Sequence, residues 1–404
     1  MLYKFFLKRR RIDGPLFAFA IACLIVDFGP EIILLSIFAG IGIWLVAGRH
    51  RSSRRIPRAY AIPVIIYLLV CTAIALIQWP DPAELQAESY PLLFAFGIFL
   101  PVGLVLVRDP LRWLVLGARL GLAAALLLGV WEFFSTGTRI GFGGNAASAA
   151  FLIAVGGVIA RVELDKDYAF LPNSRLWIYL AGFVLLMTGT RALLPIMLFA
   201  LLIDAFSWWK GRRRLHRNWV LAQFTVVLLL VGGSGFVLGD AVQERFAYTI
   251  ADIETAFSDS QELSSTNIRF MQWDAALEVI RQHPIFGLGA VQSMEEISEA
   301  VPEEHRSRLI SFNHVHNFLL DETRIRGVVG LAALLFMLGT VFVRLMQVGT
   351  SEIRQATVLL YATVLLYGSL HGVFLTERNI ILYAAVVSLL LFSATERLAK
   401  ERHA

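Results

Sequence analysis

The sequence predicts an all-α polytopic membrane protein of about twelve transmembrane helices, with one large exterior helical loop. Three observations carry this. The 404 residues are 57% hydrophobic and only 17% charged, with a mean hydropathy of +0.67. Soluble domains hold roughly 45–50% apolar and about 25% charged residues. Apolar runs alternate with polar breaks along the chain. The basic residues fall in every second break, as expected where positive charge selects the cytoplasmic side.

In chain order, the predicted spans begin with the short pair Pro15–Phe28 and Glu31–Ala47, separated by a Gly-Pro turn. Fourteen residues fall short of a ~30 Å core, so this pair is expected to tilt or dip. Ala59–Ile77, Pro91–Val107, Trp113–Phe134, Ala146–Ala160, Leu176–Gly189, Ala192–Trp208 and Trp219–Leu238 follow. After a long polar segment come Thr323–Val343, Ala356–Leu375 and Ile380–Ala394. Residues 1–238 are thus read as helices one to nine, 239–322 as the exterior helical loop and 323–404 as helices ten to twelve. The basic start MLYKFFLKRRR resembles the first part of a signal peptide, but no small-x-small cleavage site follows, so a retained first helix is expected.

The formal charge of +5 matters through its distribution. Basic clusters at Lys4–Arg11, Arg49–Arg58 and Lys210–Arg217, with the tail Arg397–Arg402, are assigned to the cytoplasm, placing both termini inside. The opposing loop WPDPAELQAESY has no Lys or Arg. Under this topology the exterior carries arginine and no lysine, including Arg139, Arg191, Arg245, Arg269, Arg281 and Arg378. Arginine's planar fork suits phosphate, although any single arginine at a helix end is more often a headgroup anchor. Arg191, in TGTR between two short spans, fits the anchor reading least well.

Within the exterior loop, Asp240–Phe257 and Asn267–Gln282 have helical spacing and Ser258–Thr266 reads as a linker. His283-Pro284 stops the second helix, IFGLGA forms a Gly-rich turn, and Glu295–Arg308 reads as a solvated helix. The loop closes on Ser311–Leu331, SFNHVHNFLLDETRIRGVVGL. Taken as one helix, this stretch places Gly327 on the face of His316, roughly 16 Å along the axis, where a neighbouring helix can approach closely. A neutral imidazole at a membrane boundary can take a proton from a hydroxyl, and arginines can neutralise a departing pyrophosphate.

Other chemistry is weakly represented. There is no phosphate-binding P-loop and no dinucleotide fingerprint, so no cofactor is expected, and neither is a nucleic-acid partner. His314-x-His316 lacks a third ligand at useful spacing, so no metal is expected. Cys23 and Cys71 lie in apolar runs and offer neither a disulfide framework nor a zinc pattern. Asp27 and Glu31 read as capping or interface residues. His371, in GSLHGVFL, reads equally as a cavity lining and as a hydrogen bond between helices.

Several of these residues carry a family resemblance. His316-Asn317, nine residues, then Gly327-Val328-Val329-Gly330 resembles the histidine signature of bacterial O-antigen ligases. Arg269-Phe270-Met271-Gln272-Trp273 leading to His283-Pro284-Ile285-Phe286-Gly287-Leu288-Gly289 is similar to a pattern of the wider ligase and polymerase superfamily. Thr188-Gly189-Thr190-Arg191 resembles its Thr-x-Ser-Arg, with Thr190 replacing serine, and Arg139–Asn145 loosely resembles a Gly-x-x-x-Asn turn.

The resemblance implies a glycosyltransferase C-type membrane fold in the bacterial inner membrane, with the large loop periplasmic. It implies an undecaprenyl-pyrophosphate-linked glycan donor, a lipid A–core acceptor, and metal-independent transfer with inversion. His316 would be the general base or acceptor-orienting group, with His314 and Asn317 beside it. Arg191 and Arg269 would hold the pyrophosphate, and Arg139 and Asn145 would contact the donor. A polymerase of the same superfamily is the near alternative. From another class, a twelve-helix transporter explains the hydropathy equally well, but predicts ionisable residues at mid-membrane.

Overall fold

The computed structural model describes residues 2–27, 57–78, 89–104, 109–164, 171–209, 265–303 and 312–403, with a few single positions beside them and a few breaks within them. The predicted spans Glu31–Ala47 and Trp219–Leu238 lie outside these residues, as do the predicted helix Asp240–Phe257 and nearly all of the linker after it.

Every described regular element is helical. In chain order these are α1 (Leu2–Ile25), α2 (Arg58–Gln78), a 3-10 turn (Tyr90–Ala95) running into α3 (Phe96–Gly103), α4 (Pro110–Thr136) and α5 (Ala146–Ala160). Then come α6 (Trp177–Thr188), a 3-10 turn (Arg191–Leu193), α7 (Pro195–Trp209), α8 (Ser265–Gln282) and α9 (Ala290–Ala300). The chain closes with α10 (Phe318–Val348), α11 (Ser351–Gly368) and α12 (Glu377–His403). Five helical segments are long and apolar enough to cross a membrane: 58–78, 110–136, 191–209, 318–348 and 377–401. Asp13–Ile25, Tyr90–Gly103, Ala146–Ala160 and Trp177–Thr188 are shorter apolar helices. This is the architecture of a multi-pass membrane protein.

Two helices form the centre. Ser148–Ala160 of α5 and Ile380–Leu391 of α12 are buried on every face, as expected for apolar helices surrounded by others. α2 and α7, by contrast, turn Leu69, Leu76, Leu202 and Trp209 outward, an apolar surface suited to lipid. α4 lies against α1 through Gly117 and Gly121. A Cβ on Gly117 would meet the Ala18 carbonyl at 2.5 Å, and one on Gly121 would meet Ile25 at 2.9 Å.

Charges inside the bundle are paired. Arg119, read from sequence as part of an apolar span, is fully buried and donates to the carbonyls of Ala160 and Val162 at 3.0 and 2.9 Å. It thereby satisfies the C-terminal end of α5. Arg161 and Arg175, which lie between the predicted spans, are also buried. Both bind Asp204 on α7, and Arg175 reaches Glu352 at 3.1 Å.

The structure shifts several predicted boundaries. The span read as Pro91–Val107 is a 3-10 turn and an eight-residue helix, with prolines at 91 and 101. The span read to Leu375 ends at Gly368, where Gly368, Ser369 and Gly372 open a turn over 369–376. The helix read as solvated from Glu295 begins at Ala290. It buries Met294 and Ile297 against Ala276 and Val279 of α8.

Candidate functional site

The site is built around residues 312–317, immediately before α10. His316 adopts the left-handed conformation at φ 60°, which costs a non-glycine residue roughly 1–3 kcal/mol. The neighbouring backbone is held from three sides. The Trp273 indole donates to the Val315 carbonyl at 2.8 Å, and the Val315 N–H donates to Asp321 at 3.0 Å. Arg324 donates to the Asn313 carbonyl at 3.2 Å. Arg324 is itself buried, paired with Asp321 at 2.9 Å and bonded to Ser293 at 2.6 Å and the Ala290 carbonyl at 2.8 Å. Thus α8, α9 and α10 together fix the histidine segment. A strained residue held by so many surrounding contacts is a mark of a functional position.

His316 is not part of a helix continuing to Gly327, as its spacing suggested. Asn317 is the N-cap of α10, its side chain accepting from Leu319 and Leu320 at 3.1 and 3.3 Å. The helix breaks at Gly327, at φ 64° and ψ −171°. A neighbouring turn, 284–289, packs there in place of the expected helix. The break costs the two hydrogen bonds that would run from 328 to 324 and from 329 to 325. The turn replaces them on both sides. Leu288 and Gly289 donate to the Arg324 and Ile325 carbonyls at 2.9 and 3.1 Å, while Val328 and Val329 donate to Pro284 and Ile285 at 2.8 and 3.3 Å. A Cβ at Gly327 would fall on the Ile285 carbonyl, and one at Gly287 on the Ile325 carbonyl. The His-Pro-x-x-Gly-x-Gly turn and the glycine pair after the histidine are therefore two halves of one joint.

Around His316 the rings are closely grouped. His314 lies 4.3 Å away between centroids, Phe312 5.0 Å and His371 6.1 Å. Burial, reinforced by His314, Arg269 and His371, pushes His316 down to about 3. Burial, then Arg269, His314 and Arg139, pushes His371 down to about 3 as well. Burial also lowers His314. All three rings are therefore neutral near pH 7. The Nδ1 atom of His316 is buried with no hydrogen-bond partner among the described residues.

The fold thus brings Arg269 into electrostatic range of His314, His316 and His371, and Arg139 into range of His371. Arg139 donates to the Thr188 carbonyl at 2.8 Å, so it braces the turn on which Arg191 stands three residues later. Asn145 is placed differently. Its side chain caps α5 through the Ala147 N–H at 2.8 Å, and neighbouring Gly144 abuts the Asp27–Arg378 ion pair. His371 was the residue that sequence reasoning left undecided; its helical hydropathy context concealed a turn. Among the described residues no group of three or more His, Cys, Asp and Glu side chains could hold a metal.

The bundle and this polar boundary cluster define a multi-pass membrane protein with a titratable site where the chain enters a long helix. Residues 176–335 match the family described as O-antigen ligase, a stretch containing the Thr-Gly-Thr-Arg, Arg-to-Trp, His-Pro and histidine–glycine motifs. The chain is 24% identical over 216 residues to an O-antigen ligase of Escherichia coli (strain K12), covering 50% of this chain and 49% of that protein. The chain spans about half the length of the curated relative it matches. These matches support the O-antigen ligase superfamily for this chain.

Proposed function

We propose that the protein transfers a glycan from undecaprenyl pyrophosphate to a hydroxyl of lipid A–core, at the periplasmic face of the bacterial inner membrane. The observation that carries this reading is His316, strained and neutral, with a ring nitrogen that has no partner among the described residues, in the field of Arg269 and beside His371. In this reading the acceptor oxygen attacks the anomeric carbon and its proton passes to His316. The bond from that carbon to the phosphate oxygen breaks, and its electron pair leaves with the pyrophosphate. Arg191 and Arg269 hold that leaving group, with Arg139 bracing the Arg191 turn, and attack from the opposite face inverts the sugar. Fixed cations of this kind stabilise developing charge without a metal.

The electrostatics give the sequence an order. Burial and nearby positive charge disfavour a proton on His316. A bound pyrophosphate cancels part of that positive field, so the ring becomes a better base once the donor is seated. Residues 239–322 are the periplasmic loop in this scheme, both termini are cytoplasmic, and the bundle is of glycosyltransferase C type. Asn317 and Asn145 act through the helix starts they cap. His314 lines the site beside His316.

The test is deletion followed by gel analysis of lipopolysaccharide, with complementation by His316→Ala. Core-only lipopolysaccharide with accumulated lipid-linked polymer is the expected result. Core bearing a single repeat would assign the protein to polymerisation. A normal ladder from His316→Ala removes that residue from the reaction.

A further inference from the structure

The turn between α11 and α12 carries a second imidazole into the site. His371 lies with its ring nearly perpendicular to that of His316, at 86° and 6.1 Å between centroids. Its plane is fixed from behind by Tyr367, stacked at 4.6 Å and 24°, which in turn packs on Phe151 at 5.0 Å. The turn is keyed to the histidine segment at separate points. A Cβ at Gly368 would meet the Phe318 ring at 2.6 Å, and one at Gly372 would meet the His314 ring at 2.9 Å. Asn317 donates to the Ser369 carbonyl at 3.5 Å. These contacts make the placement of His371 a product of packing.

A hydroxyl oxygen hydrogen-bonded to two nitrogens, bent at the oxygen, holds them roughly 4.5–5 Å apart. With centroids 6.1 Å apart, the two rings can present nitrogens at that separation. A neutral imidazole offers one lone pair and one N–H, so two of them can hold a hydroxyl completely: one ring accepts its proton and the other donates to its oxygen. Burial keeps both rings in that neutral form. We propose that His371 is a second substrate-contacting residue, which donates its N–H to the acceptor hydroxyl while His316 accepts that hydroxyl's proton. This rests on the transferase reading above and adds the residue that orients the acceptor.

The test uses the full-length protein in nanodiscs, with undecaprenyl-pyrophosphate-linked glycan and lipid A–core. His371→Ala raises the KM for lipid A–core about tenfold or more, the scale of one lost hydrogen bond to substrate, and leaves the donor KM within about twofold. His371→Gln, which keeps a donor, recovers part of the loss. An unchanged acceptor KM, or a shift in the donor KM instead, overturns the proposal. A second measurement needs no variant: in the wild-type protein, lipid A–core protects His371 from diethyl pyrocarbonate and the donor alone does not. Modification of His371 at the same rate with acceptor bound also overturns it. Wild-type protein that transfers nothing to lipid A–core defeats the transferase reading itself. Active wild type with an unaffected His371→Ala defeats this assignment alone.

Discussion

The joint between α10 and the 284–289 turn makes a sharp prediction for Gly327→Ala. At φ 64° and ψ −171° an alanine is confined to a region used almost only by glycine, at a cost of about 1–3 kcal/mol. Its Cβ also falls on the Ile285 carbonyl, so the turn must move outward. Four backbone hydrogen bonds cross the joint, each contributing about 0.5–1.5 kcal/mol net. If half of them are lost, the combined destabilisation is about 2–6 kcal/mol. Gly339→Ala, in the same helix, is the control: a Cβ there meets nothing within 4 Å, so no loss is expected. Thermal unfolding of both variants in detergent measures the difference. The refuting result is Gly327→Ala melting at the temperature of Gly339→Ala, which would mean the break needs no glycine and the two motifs are not keyed together.

Other consequences follow from the same contacts. Trp273→Phe removes the indole hydrogen bond to Val315 and is expected to cost about 1 kcal/mol of stability. Its larger effect is on turnover, because the His316 backbone relaxes from its strained state; transfer rates and unfolding measured together separate the two. Asp321→Asn leaves the buried Arg324 without its counter-charge and is expected to cost about 3–5 kcal/mol, read as a fall in melting temperature. Histidine titration sets a pH dependence of stability. His316 and His371 are pushed down to about 3 in the folded protein, against about 6.5 in the unfolded chain, so the unfolded state binds more protons between those values. Their contribution is complete above about pH 6.5 and is lost as pH falls toward 3. Melting curves from pH 8 to 5 are expected to show a plateau and then a decline, flattened in His316→Asn. Gln272 is fully buried with neither amide atom bonded among the described residues. Gln272→Met is therefore expected to raise stability by about 1–3 kcal/mol in the absence of substrate.

Much of the architecture was legible without coordinates because bilayer crossing writes its length and polarity into local runs. α2, α4, α5 and α6 lie where the hydropathy put them, to within about three residues at each end. Boundaries failed where a short-range break competes with apolar composition. Leu370–Leu375 is apolar enough to read as span, but Gly368 before it and Gly372 within it make it a turn. The role of His371 was undecided for the same reason: its placement depends on Tyr367, Phe318 and His314, residues brought together from two separate segments.

The motifs themselves were visible: the two histidines, the arginine and tryptophan of α8, the His-Pro turn and the glycine pair all stand in the sequence. Sequence by itself therefore determined the class of protein, the helical runs and the identity of the polar residues, since these depend on composition and local spacing. Tertiary structure alone decided what the spacing was for. It set His316 outside the helix and assigned Gly327 to a break instead of a helix contact. It turned Asn317 and Asn145 into caps, and paired Arg324 and Arg161 inside the protein. The reason is physical: the Arg324 and Ile325 carbonyls released by the break at Gly327 are satisfied from 36 residues away, and no local pattern records which partner will supply the hydrogen bond.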